Sequence, residues 1–547
     1  MSILKIKKIL ILIAIAFMVL SACSKNEKES NGKGKEEESA SNQEEIENFN
    51  KTDMPIVNEP ITLTFMTGKP PITAENYNEV LIWEEYEKMT NINIDWGLIP
   101  NEGLTEKRNL ALAGGEYPEV FYSAGVPDLD LSKYGKQGIF IELNDLIDKY
   151  MPNFKQLLDQ FPDIRKGITH PDGQIYALPT IYSPDFISMT SNIKPFIRKD
   201  WLEALEMDTP QTTEEFYKYL KGVKETDLNG NGKADEIPFG SSSISTLEYY
   251  LKGSFGVGNR GRNHAFLDMD PETNEMRFYR TADGYKELLQ YMNKLFSGGL
   301  IEENIFSIDE NQFQATGSEG LYGSSVTSNP ETRWGLKDEY VGMPALEGPH
   351  GDKKWAYITS PIARKGSFAI TDKNQHPEAT ARWIDYFYGD DGAKLFFMGV
   401  EGETYETADN GELQYMEHIT DNPDGLSLQQ AQRPYFTYLG GGYPGLVKQE
   451  FFKGAESLPS SLEASEMFKA DVIEEVWPPF MYTEDEYQKL APLQTDIEKY
   501  ADEMSGKFIS GNVPFSEWDK YVETIERMGL EKYMEIQKAA YDRYKNS

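Results

Sequence analysis

The chain has 547 residues, 39% hydrophobic and 12% aromatic, too long for one small core and apolar enough to build two. Its 54 Lys and Arg stand against 90 Asp and Glu, a formal net charge of -36 that argues against a nucleic-acid or anionic-membrane partner, since phosphate binding needs clustered cations. A single cysteine excludes an intramolecular disulfide and a cysteine-rich metal site.

Lys5, Lys7 and Lys8 precede an apolar run from Ile9 to Leu20, and Leu20-Ser21-Ala22-Cys23 follows. The run has signal-peptide length and falls short of the roughly 20 residues of a membrane span. Small residues directly before a Cys resemble a bacterial lipobox, in which the Cys23 sulfur receives a diacylglycerol and becomes the first mature residue. An ordinary signal peptide or an uncleaved anchor is the alternative. From Ser24 to about Asp53 the chain is Ser, Asn, Glu, Lys and Gly with almost no large apolar side chain. Such a stretch cannot bury enough surface to fold. Residues 1–22 are therefore expected as a lipoprotein signal peptide and 23–54 as the lipidated Cys and a disordered tether. The protein would hang by lipid on the extracellular face of a bacterial cell membrane.

Order is expected from Pro55. Ile61, Leu63 and Phe65 alternate as a strand, while Ile82, Tyr86 and Met89 take helical spacing. Ile92, Ile94 and Trp96 alternate again. Glu106 to Ala113 reads as a helix closed by Gly114-Gly115, and Pro118 to Ser123 as another strand. This alternation is the grammar of a parallel α/β sheet, whose ligands bind off the carboxyl ends of the strands. Thr67-Gly68-Lys69 and Tyr122-Ser123 then fall at ligand-contact positions. Thr212-x-x-Glu215 forms a capping box. From about Glu463 the pattern is nearly all helix, broken at Trp477-Pro478-Pro479 and Gly511-Asn512-Val513-Pro514. No internal repeat is visible.

Several phrases carry a resemblance: PEVF at 118–121, GIFIELNDLIDKYMPN at 138–153, PDGQIYALP at 171–179 and IRKDWLEALEM at 197–207. DLNGNGKADEIPFG at 227–240, GVEGETYE at 399–406 and FISGNVPFSEWDKYVETIERMGLEKY at 508–533 complete the set. In this order, behind a lipobox, they resemble the extracellular solute-binding lipoproteins of carbohydrate ABC importers, in the large oligosaccharide-binding branch related to alginate-binding proteins. The resemblance implies an α/β fold, a two-lobed periplasmic-binding-protein-like clamp with a helical C-terminal extension. It divides the chain into a first lobe at 55–182 and 357–440 and a second at 183–356 and 441–547. It also implies an oligosaccharide ligand, two permease subunits and a separate ATPase, because the chain has no G-x-x-x-x-G-K-[ST] loop of its own. A monomer is expected.

Asp227, Asn229, Asn231 and Asp235 occupy positions 1, 3, 5 and 9 of an EF-hand-like loop, with Gly232 at 6. Lys233 would offer its backbone carbonyl to calcium. Position 12 is Pro238 and not the usual bidentate Glu, so Asp235 or Glu236 must supply that carboxylate. A structural calcium ion is the expectation, and an Asn/Gly/Asp-rich turn the alternative. Neutral sugars are held by aromatic faces and planar polar groups. By position relative to the family, Lys69, Tyr122, Tyr182, Trp334 and Trp355 are the ligand candidates, with Tyr443 a weaker one. Trp201 and Trp518 read as core, and Arg198 as an exposed arginine beside a helix. An extracellular glycosidase would need two carboxylates roughly 5 to 9 Å apart, and none of the acidic residues stands out as such a pair. His170, His264, His350, His376 and His418 form no H-E-x-x-H, and no G-x-S-x-G elbow is present. No catalytic residue is assigned; a lipid-anchored glycan sensor or adhesin shares the same architecture.

Overall fold

In the computed structural model, which describes residues 46–437 and 443–547, the strand–helix alternation holds from Ile61 onward. Leu63, Phe65 and Thr67 turn inward on β1 (Ile61–Lys69). Helix Leu81–Thr90 buries Ile82, Trp83 and Tyr86 and stops at Asn91, whose left-handed backbone (φ 59°) caps it before β2 (Ile92–Pro100). Helix Asn101–Gly114 starts one turn earlier than the apolar spacing indicates and closes at Gly115; β3 (Val120–Tyr122) follows. After β4 (Leu178–Tyr182) the chain leaves this sheet. It builds β5 (Lys194–Arg198), β6 (Ile237–Gly240) and a hairpin of β7 (Leu267–Met269) and β8 (Met276–Phe278). The next strands are β9 (Tyr322–Thr327) and β10 (Tyr340–Gly342). The chain then returns as β11 (Ile362–Ile370), a hairpin of β12 (Tyr405–Thr407) and β13 (Leu413–Tyr415), and the two-residue β14 (Leu446–Val447).

Two sheets result. The first has six strands in the order β14-β4-β11-β3-β1-β2, and the second four in the order β10-β5-β9-β6. In the first sheet β1 runs parallel to β2 and β3, while β11 is antiparallel to β3 and β4. The start of β11 therefore lies beside the carboxyl ends of its neighbours. Three segments pass between the sheets: after Tyr182, before Ile362 and after Val447. Each sheet has its own core. The first is dominated by aromatics, with Trp83 stacked on Trp383 at 5.8 Å. The second takes in the C-terminal helices Glu484–Ile509, Trp518–Arg527 and Leu530–Asn546 through Phe508, Trp518, Tyr521 and Tyr533. The capping box at Thr212 and Glu215 is formed, and Trp201 and Trp518 are buried as expected.

Two expected boundaries move. Residues 50–53 are not free tether: the Arg382 guanidinium gathers the carbonyls of Asn50, Thr52 and Asp53, and Phe49 packs edge-on to Tyr150 at 5.5 Å. Composition missed this because the order comes from backbone groups and one distant arginine. Residues 443–452 belong with the first sheet, not the second lobe, since β14 pairs with β4 and Tyr443, Phe451 and Phe452 join the first core. Residues 48–547 make one compact unit. Cys23 and the apolar run before it lie outside the described residues.

Candidate functional site

The carboxyl ends of β1 and β3 and the start of β11 open onto a cavity of about 730 Å³. Thr67, Asn101, Ser123 and Tyr122 are on its wall. At Gly68 an added Cβ would sit 2.6 Å from the Asn101 side-chain oxygen and would push that side chain aside. Ser123 holds a left-handed backbone (φ 48°), and its amide donates to Ser367 O at 2.6 Å. Such backbone strain in a non-glycine residue is a feature of binding sites. Arg108 is buried behind this turn and donates to Ala124 O (2.9 Å) and Gly125 O (2.6 Å), so the loop after β3 is pinned in place.

A second cavity of about 610 Å³ adjoins the first; Ala363, Arg364 and Phe396 line both. Its wall mixes rings (Tyr182, Tyr415, Phe436) with polar groups from the crossing segments and the second lobe (Asn192, Arg262, Lys453). Arg262 donates to Asn192 Oδ1 (2.5 Å) and the Tyr357 hydroxyl (2.9 Å) and lies over the Tyr357 ring at 5.1 Å. Burial raises the Tyr182 hydroxyl above its ordinary pKa and lowers the Lys453 amine below its own. β11 slips register on both sides of Arg364, a bulge that re-aims this side chain at the junction of the cavities.

The residues picked from sequence divide sharply. Tyr122 lines the first cavity and Tyr182 the second. Lys69 lies between Gly68 and Pro70 of the wall but turns to Glu75, an ion pair at 2.9 Å. Trp334, Trp355 and Tyr443 line neither cavity. Trp334 is packed among Phe313, Tyr322 and Tyr340 at 5.5 to 5.7 Å. Trp355 is fully buried, stacked on Phe468 at 4.2 Å with its Nε1 on Ser191 Oγ. Tyr443 is also fully buried and supports the cleft from beneath, stacked on the lining Phe396 at 4.0 Å. Arg198 ends β5 directly before helix Lys199–Ala204, as expected beside a helix, but it is buried between Asp200 and Glu339 and not exposed. Sequence reading passed over Asn192, Arg262, Arg364, Tyr415 and Phe436. Only Arg364 carried a signal, as one of two adjacent cations in a strand that otherwise reads as central.

The Asp227–Glu236 loop folds on itself between helix Thr213–Glu225 and β6. The Asp227 carboxylate accepts from the amides of Asn231 (3.2 Å) and Gly232 (2.9 Å), and Glu236 from Leu228 and Asn229. The Asn229 and Asn231 amide groups reach the Asp235 carboxylate at 2.8 to 3.1 Å and hold its pKa below the usual range. Among the described residues no group of three or more His, Cys, Asp or Glu is drawn together as a metal cluster. The loop instead gathers carboxylate and amide oxygens, a hard donor set that fits calcium once the two Asn side chains turn their oxygens inward.

Two sheets joined by three crossings, with a cleft at the strand ends, define a two-lobed solute-binding clamp. The family model of the bacterial extracellular solute-binding proteins matches residues 71–394, more than half of the chain, and the chain belongs to that family. The fructooligosaccharide ABC transporter substrate-binding protein FusA of Streptococcus pneumoniae is 31% identical over 503 residues, 88% of this chain and 90% of the relative. The structure of S. pneumoniae FusA in complex with kestose superposes with a TM-score of 0.68 at 28% identity, covering 89% of this chain and 100% of that one. A FusA EF-hand mutant in complex with fructo-nystose gives the same values. The fold is shared with an HMO-binding ABC-transporter-associated solute-binding protein of Bifidobacterium longum infantis (TM-score 0.75, 23% identity, 89% and 99% covered). The chain is thus an extracellular binding protein and not an enzyme. Among the described residues no helix is long and apolar enough to cross a membrane.

Proposed function

We propose that this protein is the capturing subunit of an ABC importer for an oligosaccharide. A lipid on Cys23 would anchor it, and as a monomer it would deliver its cargo to two permease subunits driven by a separate ATPase. The observation that carries this reading is the pair of adjoining cavities, about 730 and 610 Å³, meeting at Arg364 and Phe396 where the crossing segments converge. Each has the volume of a small-molecule site, and the pair in sequence suits a chain of several sugar units. Tyr122, Tyr182, Tyr415 and Phe436 supply ring faces for sugar C–H groups, and Asn101, Asn192 and Gln432 supply planar hydrogen-bonding ends for hydroxyls. Closing the lobes on a ligand that touches both would shift the population toward the form that docks on the permease. Calcium at Asp227, Asn229, Asn231, Asp235 and Glu236, with the Lys233 carbonyl, would staple the second lobe; that FusA has an EF-hand, as its EF-hand mutant indicates, supports this reading.

The test is a thermal-shift screen against plant and microbial oligosaccharides. A ligand specific for the native state adds about 2.7 kcal/mol at one hundred times its Kd. A shift with one glycan class, with the glycan recovered uncut, is the expected result. No shift with any oligosaccharide contradicts the reading.

A further inference from the structure

The cleft carries the opposite charge balance to the chain around it. Five cations line the two cavities, Arg108, Arg262, Arg364, Lys365 and Lys453, against two carboxylates, Asp128 and Glu456. Elsewhere acids prevail, 90 to 54 over the whole sequence, and residues 438–442 add no charge. Most of these cations are committed to the protein. Arg108 holds the Ala124 and Gly125 carbonyls, and Arg262 holds Asn192 and Tyr357. Lys365 holds the Pro479 carbonyl (2.6 Å) and Asp128 (3.2 Å).

Arg364 differs. It is exposed, its guanidinium has no hydrogen-bond or ion-pair partner among the described residues, and the bulge of β11 places it where the two cavities meet. Any ligand spanning both cavities covers it. Taking an unpaired guanidinium out of water costs several kcal/mol unless an anion takes the place of the solvent. A guanidinium fork matches a carboxylate with two parallel bonds, a geometry that scattered hydroxyls do not reproduce. A cation-rich cleft in an acidic protein also focuses field toward incoming anions.

We infer that the captured sugar chain carries a carboxylate, as a uronate unit does, and that Arg364 binds that carboxylate at the junction of the two cavities. This rests on the oligosaccharide reading above and narrows its substrate class. The experiment is calorimetric titration of the protein with uronate trimers of different stereochemistry. Each is paired with its neutral methyl ester, and a neutral fructooligosaccharide is run beside them. At least one free acid should bind ten- to a hundredfold tighter than its ester, the span expected for a charge-assisted pair. Its affinity should fall as salt rises. Arg364→Gln should erase the acid-over-ester preference, and Arg364→Lys should restore only part of it. Thermal unfolding of both variants without ligand should match the parent, because the guanidinium has no partner among the described residues to lose. Tight binding of a neutral sugar with every uronate refused overturns the inference and leaves the importer reading standing. So does an equal loss of acid and ester in Arg364→Gln. Refusal of every sugar, charged and neutral, removes both.

Discussion

The two sheets of this protein are both mixed and both wrapped by helices, yet they treat their aromatic residues differently. Around the first sheet the strand ends stay open, so Tyr122 and Tyr182 reach the cavity walls while Trp83, Trp96 and Trp383 fill the layer beneath. Around the second, ring residues are covered: Trp334 sits among three other rings, and Trp355 lies under Phe468. The second sheet also buries charge. Arg280 meets Glu248 at 2.7 Å, and Tyr285 donates to Glu248 and shares a hydrogen bond with Ser505 of the C-terminal helix Glu484–Ile509. What this side lends to the cleft is a few polar groups on loops, Asn192 and Arg262 above all. A ring near a strand end is thus a ligand residue only if no other element covers it: Phe468 covers Trp355, and Phe313, Tyr322 and Tyr340 enclose Trp334.

The strongest way to break this contrast is Glu248→Ala. It leaves the Arg280 charge buried without its main partner, a loss of about 3–5 kcal/mol. Denaturant unfolding should show that loss, while affinity for a cleft ligand stays near the parent value. A small stability change would mean that water reaches Arg280 and that the second lobe is not the closed scaffold described here.

Next comes pH, to which two buried groups, one in each lobe, should respond in opposite senses. In the first lobe, burial raises the Asp385 carboxyl from 3.8 to about 7, although it accepts from the Phe154 amide at 2.8 Å. The folded state then holds a proton that the unfolded chain has lost, so this stabilisation is full below about pH 4 and disappears as pH rises through 7. Asp385→Asn cannot ionise and should gain on the parent across that window, by on the order of 1–3 kcal/mol at pH 8. A gap independent of pH would show that Asp385 is ionised in the folded protein. In the second lobe His264, which contacts Pro478 O, is lowered by burial to about 4. Its contribution is present above pH 6.5 and is lost as pH falls toward 4. His170 in the first lobe is lowered the same way, so the contrast belongs to Asp385.

A further test concerns the loop proposed to bind calcium in the second lobe. Asp227→Ala should lower the melting midpoint more in calcium than in chelator, where only the bonds from the Asn231 and Gly232 amides are lost, with about 2.7 kcal/mol at stake when calcium stands at one hundred times its Kd. An equal drop in both buffers would make the loop an ordinary turn, held by the Asn231 and Gly232 amides on Asp227.

Much of the scaffold was legible because it follows local rules. The alternation of Ile61, Leu63 and Phe65, the spacing of Ile82 and Tyr86, and the Thr212–Glu215 box each settle a piece of backbone without reference to the rest. The chain leaves the first sheet directly after Tyr182, at the end of the ALPTIY stretch. The cleft was harder to read because burial is a tertiary property. Trp334, Trp355 and Tyr182 look equally available in sequence, and only Tyr182 escapes cover. Tyr415 and Phe436 come from β13 and the segment beyond it, where no periodicity announces a wall. Asn50 to Asp53 read as tether because their order depends on Arg382, some 330 residues away.

The most direct test compares the two tryptophan and tyrosine fates with one ligand. An oligosaccharide found by the thermal-shift screen would be titrated into the parent, Tyr182→Ala and Trp355→Ala. Tyr182→Ala should lose about 1–2 kcal/mol of affinity with little change in stability. Trp355→Ala should lose about 3–5 kcal/mol of stability and, at a temperature where it remains folded, keep its affinity. The reverse pattern, with affinity lost at Trp355 and untouched at Tyr182, would put the binding site elsewhere and contradict the cleft between the sheets as the seat of capture.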